Sequence, residues 1–338
     1  MRTAGKAIGL AAIIGLGLLT GCGNPNEGPK QYTPPPPKPL PEVPPLKHTP
    51  IDKDLQNKAR AEVDAAIQSS NEIIRAHALE ALKDLKLPES PAIIVNALTD
   101  TSPLVRKAAA LAAGEMQIHE AATQLNQNYE TAQTQEMIAI IYALHRLGDT
   151  THTRELQNTI TDLRPQVRGD TVMVMGMLGE RSAIPYLMQR LGKDDNATIR
   201  LESAEALWRL GDERGMDELI GATLSKYPDD QMVALLALAQ PRDTRVLGHI
   251  EGQFWNDYPE VRLVAARAAG MLGSDRGLPF ALQSAEAKDW RQRFLSAFAL
   301  QAIARPDTQA ALGAMMTDDN QDVRLAAAAA LLVIGKQR

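Results

Sequence analysis

Small apolar residues recur along most of the chain with a spacing that predicts pairs of short helices. Blocks of Ala and Leu at helical spacing return about every 31 residues, with a Gly at or near the end of each. Four blocks read DTSPLVRKAAALAAGEM (100–116), DDNATIRLESAEALWRLGD (194–212), DYPEVRLVAARAAGMLGSD (257–275) and DDNQDVRLAAAAALLVIGK (318–336). The pattern predicts an all-α chain built from nine repeats of two helices.

One position sets the register of the nine repeats. It is Arg in seven of them, and successive positions lie 30 to 32 residues apart. These anchor residues are Arg75, Arg106, Glu136, Arg168, Arg200, Gln231, Arg262, Arg293 and Arg324. Because Asp stands before most blocks, its carboxylate is expected to cap the first helix of the repeat.

Both ends of the repeat array are expected to differ from the inner repeats, since a terminal repeat lacks one neighbour. Residues 51–69 are polar with one apolar stripe, and we expect them to form an N-terminal capping helix before a solenoid at 70–338. The ninth repeat stops after its first helix, so Leu325–Ile334 has no second helix to cover it. This end is expected either to stay bare or to pair with a second copy or a partner.

The repeats resemble the HEAT repeat, in the short form found in phycobilisome-lyase subunits, over about residues 70–338. The resemblance implies a right-handed α-α superhelix of about nine repeats of ~31 residues. It also implies that Asp and the anchor Arg link adjacent repeats, with interruptions at Glu136 and Gln231. The implied pairs are Asp100 with Arg106, Asp195 with Arg200, Asp257 with Arg262 and Asp319 with Arg324.

The first 22 residues have the pattern of an export signal. Arg2 and Lys6 precede an uncharged apolar run, which ends in Leu19-Thr20-Gly21-Cys22. This motif resembles the lipobox of bacterial lipoproteins, which implies removal of a signal peptide at 1–21 and a covalent lipid, such as palmitate, on Cys22. Gly23 in place of Asp favours the outer over the inner membrane of the bacterial envelope. The alternative is an ordinary signal peptide with an incidental Cys.

A proline-rich linker follows the lipidated N-terminus and extends to residue 50. Eleven of residues 23–50 are Pro, a composition typical of polyproline II structure. At ~3.1 Å per residue, a segment of this length extends to about 85 Å. We interpret it as a spacer, with a docking site for a module that recognises PxxP as the alternative.

Charge and residue chemistry narrow the functional classes. The net charge of −5 argues against a nucleic acid partner, and the single Cys excludes an internal disulfide. The six His form no metal-binding spacing, and His119-Glu120 is the only His-Glu dipeptide, although the hydroxylases of this repeat family need several. We therefore predict a non-catalytic protein with no metal and no cofactor besides the lipid on Cys22.

The second helices of such repeats are expected to line the concave side of the solenoid and to bind a protein or peptide. One position of these helices forms a periodic series, here called the second-helix row. Its members are Gln124, Glu155, Tyr186, Glu218, His249 and Phe280. Trp255 and Trp290, in a segment rich in aromatic residues, are added as interface candidates.

These features predict a membrane-anchored scaffold or adaptor of the bacterial cell envelope. One alternative is a lyase-like subunit that handles a small molecule, as some proteins with the same repeats do. A further alternative is a purely structural envelope element.

Overall fold

The computed structural model describes residues 42–47 and 49–336. These residues form eighteen α-helices and, within the described part of the chain, no strand, which confirms the predicted all-α repeat architecture. The signal peptide, Cys22 and most of the proline-rich linker lie outside the described residues. Among the helices of residues 42–47 and 49–336, none is long and apolar enough to cross a membrane.

Each repeat consists of a long first helix and a shorter second helix. The first helices are α2 (Glu72–Leu85), α4 (Pro103–Met116), α6 (Thr134–Arg146), α8 (Pro165–Leu178), α10 (Ala197–Arg209), α12 (Pro228–Ala239), α14 (Pro259–Met271), α16 (Trp290–Ile303) and α18 (Gln321–Gly335). The second helices are α3 (Ser90–Ala97), α5 (Ala122–Tyr129), α7 (Leu156–Thr159), α9 (Ile184–Lys193), α11 (Glu213–Ala222), α13 (Leu247–Gly252), α15 (Leu278–Ser284) and α17 (Gln309–Met315). Helix α1 (Lys53–Ile67) precedes the first repeat.

The described residues divide into two compact units. Unit 1 comprises residues 63–218, and unit 2 comprises residues 42–47, 49–62 and 219–336. Within each unit, every first helix packs against the next first helix, whereas the second helices pack mainly against first helices. The repeats therefore form two layers, of which the first-helix layer is the more continuous.

Small side chains allow the first helices to approach closely. Helix α4 buries a run of Ala residues, and its Gly114 faces α6. A Cβ atom at Gly114 would lie 2.8 Å from the Cα of Ala143, so only a hydrogen fits there. The abundance of Ala in the repeats thus serves the packing of first helix on first helix.

The first helices line the concave side in unit 1. Lys107 Nζ of α4 lies 2.6 Å from Asp170 Oδ1 of α8, although α6 stands between these two helices in the layer. In a straight row, helices two places apart would be about 16–20 Å apart, beyond the reach of these two side chains. The layer therefore curves inward at the first helices, and the prediction that the second helices line the concave side is wrong.

The ion pairs between repeats differ from the expected ones. In the expected pairs an anchor Arg meets the Asp just before it, whereas in the structure it meets a carboxylate of the following repeat. Each pair joins an anchor Arg to a carboxylate of the following repeat, as in Arg75 Nη2–Asp100 Oδ1 at 2.8 Å and Arg106 Nε–Glu136 Oε1 at 2.7 Å. The pairs Arg168–Asp194 at 2.7 Å and Arg293–Asp318 repeat the arrangement. In addition, each of the seven anchor Arg residues donates to the backbone carbonyl six positions earlier, which fixes the turn before its own helix.

The two anchor residues that are not Arg, Glu136 and Gln231, each still make a polar contact with a neighbouring repeat. Glu136 accepts two hydrogen bonds from the guanidinium of the preceding anchor residue, Arg106. Gln231 donates to the carbonyl of Ser225, as an anchor Arg does, and its Oε1 accepts from Asn256 Nδ2 at 2.8 Å. Gln231 and Asn256 thus form a neutral equivalent of the Arg–Asp pair.

The chain's own N-terminal segment, residues 44–47 and 49–62, packs on the last repeats of unit 2. Gln56 Nε2 donates to the carbonyl of Leu331 at 2.7 Å, and Arg324 Nε donates to Glu62 Oε1 at 3.0 Å. A Cβ atom at Gly313 of α17 would lie 3.0 Å from Leu55 Cδ2, so the side chain of Leu55 is in close contact there. The prediction of a bare C-terminal end is therefore wrong.

Nearby polar contacts extend this docking upstream of α1. Gln309 of α17 accepts from the backbone N–H of Asp52 at 2.9 Å and donates to the carbonyl of Pro50 at 3.0 Å. Arg305 Nη1 donates to the carbonyl of Pro44 at 3.0 Å. The end of the proline-rich linker is thus held at the turn between α16 and α17.

Candidate interaction surface

The concave side of unit 1 is occupied by ion pairs. Lys83 of α2 is buried and lies 2.9 Å from Glu115 of α4. Burial lowers the pKa of Lys83, but Asp84, Glu115 and Glu80 outweigh burial and raise the pKa above its ordinary value. The cavity beside them is only about 10 Å³, which is at most the room of one water molecule.

A second polar cluster joins four first helices of unit 1. Asp170 of α8 accepts from Lys107 of α4 and from Gln135 Nε2 of α6, the latter at 2.7 Å. Glu202 of α10 lies alongside, and its Oε2 is buried with no hydrogen-bond partner among the described residues. Burial, with the charges of Glu205 and Asp170, raises the pKa of Glu202 to about 8, although Lys107 acts in the opposite direction.

These two clusters leave little room for a ligand on the concave side of unit 1. Their charged groups are already paired across neighbouring helices, so a partner would have to break those pairs before it could bind. An interaction surface is therefore expected on the second helices and on the turns.

Two members of the second-helix row in unit 1 are engaged with their own neighbours. Gln124 Nε2 donates to Asn128 Oδ1 at 2.9 Å. Glu155 accepts a hydrogen bond from the hydroxyl of Tyr129 and lies 3.0 Å from His152 Nδ1. Burial and the bond to Glu155 raise the pKa of Tyr129.

The other members of the row differ in exposure. Tyr186 is half-buried on α9, whereas Glu218 on α11 and His249 on α13 are exposed. Phe280 on α15 is half-buried, with its ring 5.6 Å from the ring of Trp255. The row therefore lies on the second-helix layer and mixes engaged side chains with free surface; its binding role stays a prediction.

The two Trp candidates have different surroundings. Trp255 packs edge-on against Phe280 and belongs to a cluster that includes the fully buried Phe254. Trp290 is half-buried at the start of α16, and the guanidinium of Arg291 lies 5.1 Å from its ring. Of the two, Trp290 is the one at the edge of the repeat layer.

Two exposed Tyr residues stand next to Trp290 in the repeat register. Tyr227 and Tyr258 are 57% and 45% exposed and occupy the N-cap positions of α12 and α14. In four other repeats this position is Asn or Asp, whose side chain caps the helix; these residues are Asn71, Asn196, Asp289 and Asn320. Neither Tyr makes a side-chain capping bond.

We call Tyr227, Tyr258 and Trp290 the aromatic edge of unit 2. Three consecutive repeats contribute one ring each: Tyr227 and Tyr258 lie directly before α12 and α14, and Trp290 is the first residue of α16. Large exposed aromatic side chains in a row are typical of binding surfaces. The two Tyr residues are not among the site residues predicted from the sequence. The anchor register nevertheless contains a signal for them, since each lies four positions before its anchor.

A larger opening also lies in unit 1. An open cleft of about 760 Å³ lies between the end of α1 and helices α2 to α4. Its lining mixes apolar groups such as Leu79 and Ile93 with the paired side chains of Arg75 and Asp100. The volume lies in the range of small-molecule sites.

Several solved structures resemble the chain over most of its length. One is a chain of the complex of CpcE and CpcF of phycocyanin lyase from Nostoc sp. PCC7120. It shares 19% sequence identity with this protein, the match covers 70% of this protein and 97% of that chain, and the TM-score is 0.44. Human deoxyhypusine hydroxylase shares 20% identity over 84% and 98% of the two chains, with a TM-score of 0.38. Karyopherin Kap121p, bound to the extreme C-terminus of the phosphatase Cdc14p, shares 14% identity over 82% and 37%, with a TM-score of 0.36.

The sequence comparison gives a family and no individual relative. Among curated proteins, none matches the chain. The profile of HEAT repeats matches residues 61–145, 153–239 and 255–332. Because these matches cover about three quarters of the chain, the protein belongs to the HEAT-repeat family.

Proposed function

We propose that this HEAT-repeat protein is a non-catalytic scaffold that is anchored to the bacterial envelope through a lipid on Cys22. The observation that carries the scaffold role is the aromatic edge, where Tyr227 and Tyr258 stay exposed at positions that serve as helix caps in other repeats. A cap of Asn or Asp stabilises a helix by about 1 kcal/mol. Tyr at these positions gives up that stabilisation and gains a surface for a protein partner.

The anchor rests on the lipobox-like motif at residues 19–22 and on the contacts of the linker's end. Because Arg305 holds the carbonyl of Pro44, a lipid on Cys22 would be connected to unit 2 through residues 23–43. Tethering raises the concentration of the scaffold near membrane partners without any new contact.

Fractionation of cells tests the anchor. We expect the wild-type protein in the membrane fraction and the Cys22→Ser variant in the soluble fraction or uncleaved, since Ser offers no thiol for the lipid. Metabolic labelling with a palmitate analogue should mark the wild-type protein only. Labelling of both proteins, or of neither, would contradict lipidation at Cys22.

Crosslinking in cells tests the scaffold role. A variant with Tyr227→Asn and Tyr258→Asn should lose a discrete crosslinked protein partner. A matched variant in the second-helix row, Tyr186→Asn, should keep it. Loss in the Tyr186 variant alone would move the site to the second-helix row, and the absence of a discrete partner in the wild type would count against a scaffold.

The cleft in unit 1 favours one other function, that of a subunit that handles a small molecule. Its volume of about 760 Å³ and its mixed polar and apolar lining suit a small organic ligand. Native mass spectrometry of the purified protein tests this function. A stoichiometric small molecule that Ile93→Trp displaces would support it, since Ile93 lines the cleft and is half-buried, and a ligand-free mass would count against it.

A further inference from the structure

The expected distance between rings of the aromatic edge is close to the repeat length of a polyproline II strand. Consecutive first helices lie about 8–10 Å apart, so rings at one register position recur at about that distance. A polyproline II strand repeats every three residues, or about 9.3 Å. Such a strand laid across the first helices therefore presents the same side to Tyr227 and to Tyr258, which share one register position; aromatic surfaces recognise proline-rich segments in this way.

The two Tyr residues are set to act together. Tyr227 and Tyr258 have nearly the same backbone conformation, with φ of −101° and −89° and ψ of 119° in both. Both precede a Pro at the first helical position. Their side chains therefore leave the backbone in the same direction, and Trp290 follows one residue later in the next register.

The chain itself supplies a strand of suitable composition at a suitable distance. Residues 33–41 read TPPPPKPLP, and the described chain holds the carbonyl of Pro44 at Arg305, just beyond the C-terminal end of α16. Trp290 lies at the other end of α16, which is 14 residues or about 21 Å long. Residues 33–43 span about 34 Å as polyproline II, enough to reach Trp290 and continue to Tyr258.

We propose that the aromatic edge binds a polyproline II strand and that the strand it binds is this chain's own segment 33–41. This inference rests on the proposed scaffold function and names the chemistry that the aromatic edge recognises. The four Pro residues at 34–37 would cross Trp290 and Tyr258. Any proline-rich partner would then compete with the chain's own segment for the same rings.

Accessibility of Trp290 tests the proposal in the mature chain carrying Cys22→Ser. Acrylamide quenching of Trp290 is isolated by subtracting the signal of a Trp290→Phe variant. Replacing the four Pro residues at 34–37 with Ser should make Trp290 at least threefold more quenchable. A synthetic peptide TPPPPKPLP should restore the protection in this variant and bind at least tenfold more weakly to the chain with its own Pro residues.

Two variants assign the effect to the aromatic edge. Tyr258→Asn, combined with the Ser substitutions at 34–37, should abolish binding of the peptide. Because Asn is the capping residue of other repeats, this variant should melt at the same temperature or higher, so that loss of binding does not reflect unfolding. The matched Tyr186→Asn variant should bind the peptide normally.

Several outcomes would overturn the proposal. Equal quenching of Trp290 with and without the Pro residues would show that segment 33–41 does not cover it. Protection that grows with protein concentration would assign the strand to a second copy. Protection by cell-wall glycan fragments and not by the peptide would assign the edge to carbohydrate. Equal quenching of Trp290 with and without the Pro residues, together with a protein partner that still requires Tyr258, would refute only this inference and leave the scaffold function intact.

Discussion

Replacing Glu202 with Gln should stabilise the protein at alkaline pH and leave its stability unchanged at acid pH. Glu202 Oε2 is buried in the cluster of unit 1 without a hydrogen-bond partner in the described chain, close to Asp170 and Glu205. These surroundings raise its pKa from an ordinary 4.5 to about 8. The folded protein therefore favours the protonated carboxyl, and ionisation at higher pH works against folding.

The direction and the magnitude of the change in the free energy of unfolding follow from the different proton affinity of Glu202 in the folded and unfolded states. Between pH 4.5 and 8 the folded state binds more protons than the unfolded state, so the free energy of unfolding falls as pH rises. A pKa raised from 4.5 to about 8 corresponds to an upper limit of about 5 kcal/mol. Because Lys107 is near and the side chain is partly exposed, we expect about 2–3 kcal/mol.

Urea unfolding at pH 4, 7 and 8.5, followed by circular dichroism, measures this effect. The midpoints of wild type and Glu202→Gln should coincide at pH 4, below the unfolded pKa, and separate by pH 8.5 at an unchanged m-value. An exposed control, Glu218→Gln, should follow the wild type at every pH. Parallel curves for wild type and Glu202→Gln across this range would refute the argument for a raised pKa.

Other features of the structure predict further measurable effects. Gly277→Ala should lower the free energy of unfolding in urea by about 2–3 kcal/mol, because a Cβ there would lie 2.4 Å from the Cβ of Ala266. Asn256→Asp should destabilise the protein by about 1 kcal/mol, and adding Gln231→Arg should recover this loss in a double-mutant cycle, because the two form an Arg–Asp pair in other repeats. Glu62→Arg should speed proteolysis of the N-terminal segment, since it places two like charges together at the last anchor Arg.

The sequence contains the repeat register but not the curvature of the layers. The 31-residue period locates every first helix because seven of the nine repeats carry an Arg at the anchor position, and each of these Arg residues fixes the turn before its own helix. The period does not indicate which layer is concave. That depends on how closely neighbouring helices approach, for example where Gly114 faces Ala143 and where Lys107 reaches Asp170.

The local sequence pattern also predicts only part of the candidate site. Phe280, Trp255 and Trp290 were recognised as aromatic residues at repeat positions, and the structure adds that Phe280 and Trp255 pack on each other. Tyr227 and Tyr258 could have been found by comparing the residues four positions before each anchor. Docking of the N-terminal segment left no such signal, because contacts between residues more than 250 positions apart leave no mark in a local pattern.

The docking of the N-terminal segment sets the order in which the protein can complete its folding. Glu62 and Arg324 are separated by 262 residues, whereas most contacts of a repeat array join neighbours and form quickly. The segment emerges first during synthesis, and the helices it contacts emerge last. A nascent or truncated chain that lacks α17 and α18 lacks the surface that residues 49–62 contact, so this segment stays uncovered in unfinished chains and covered in finished ones.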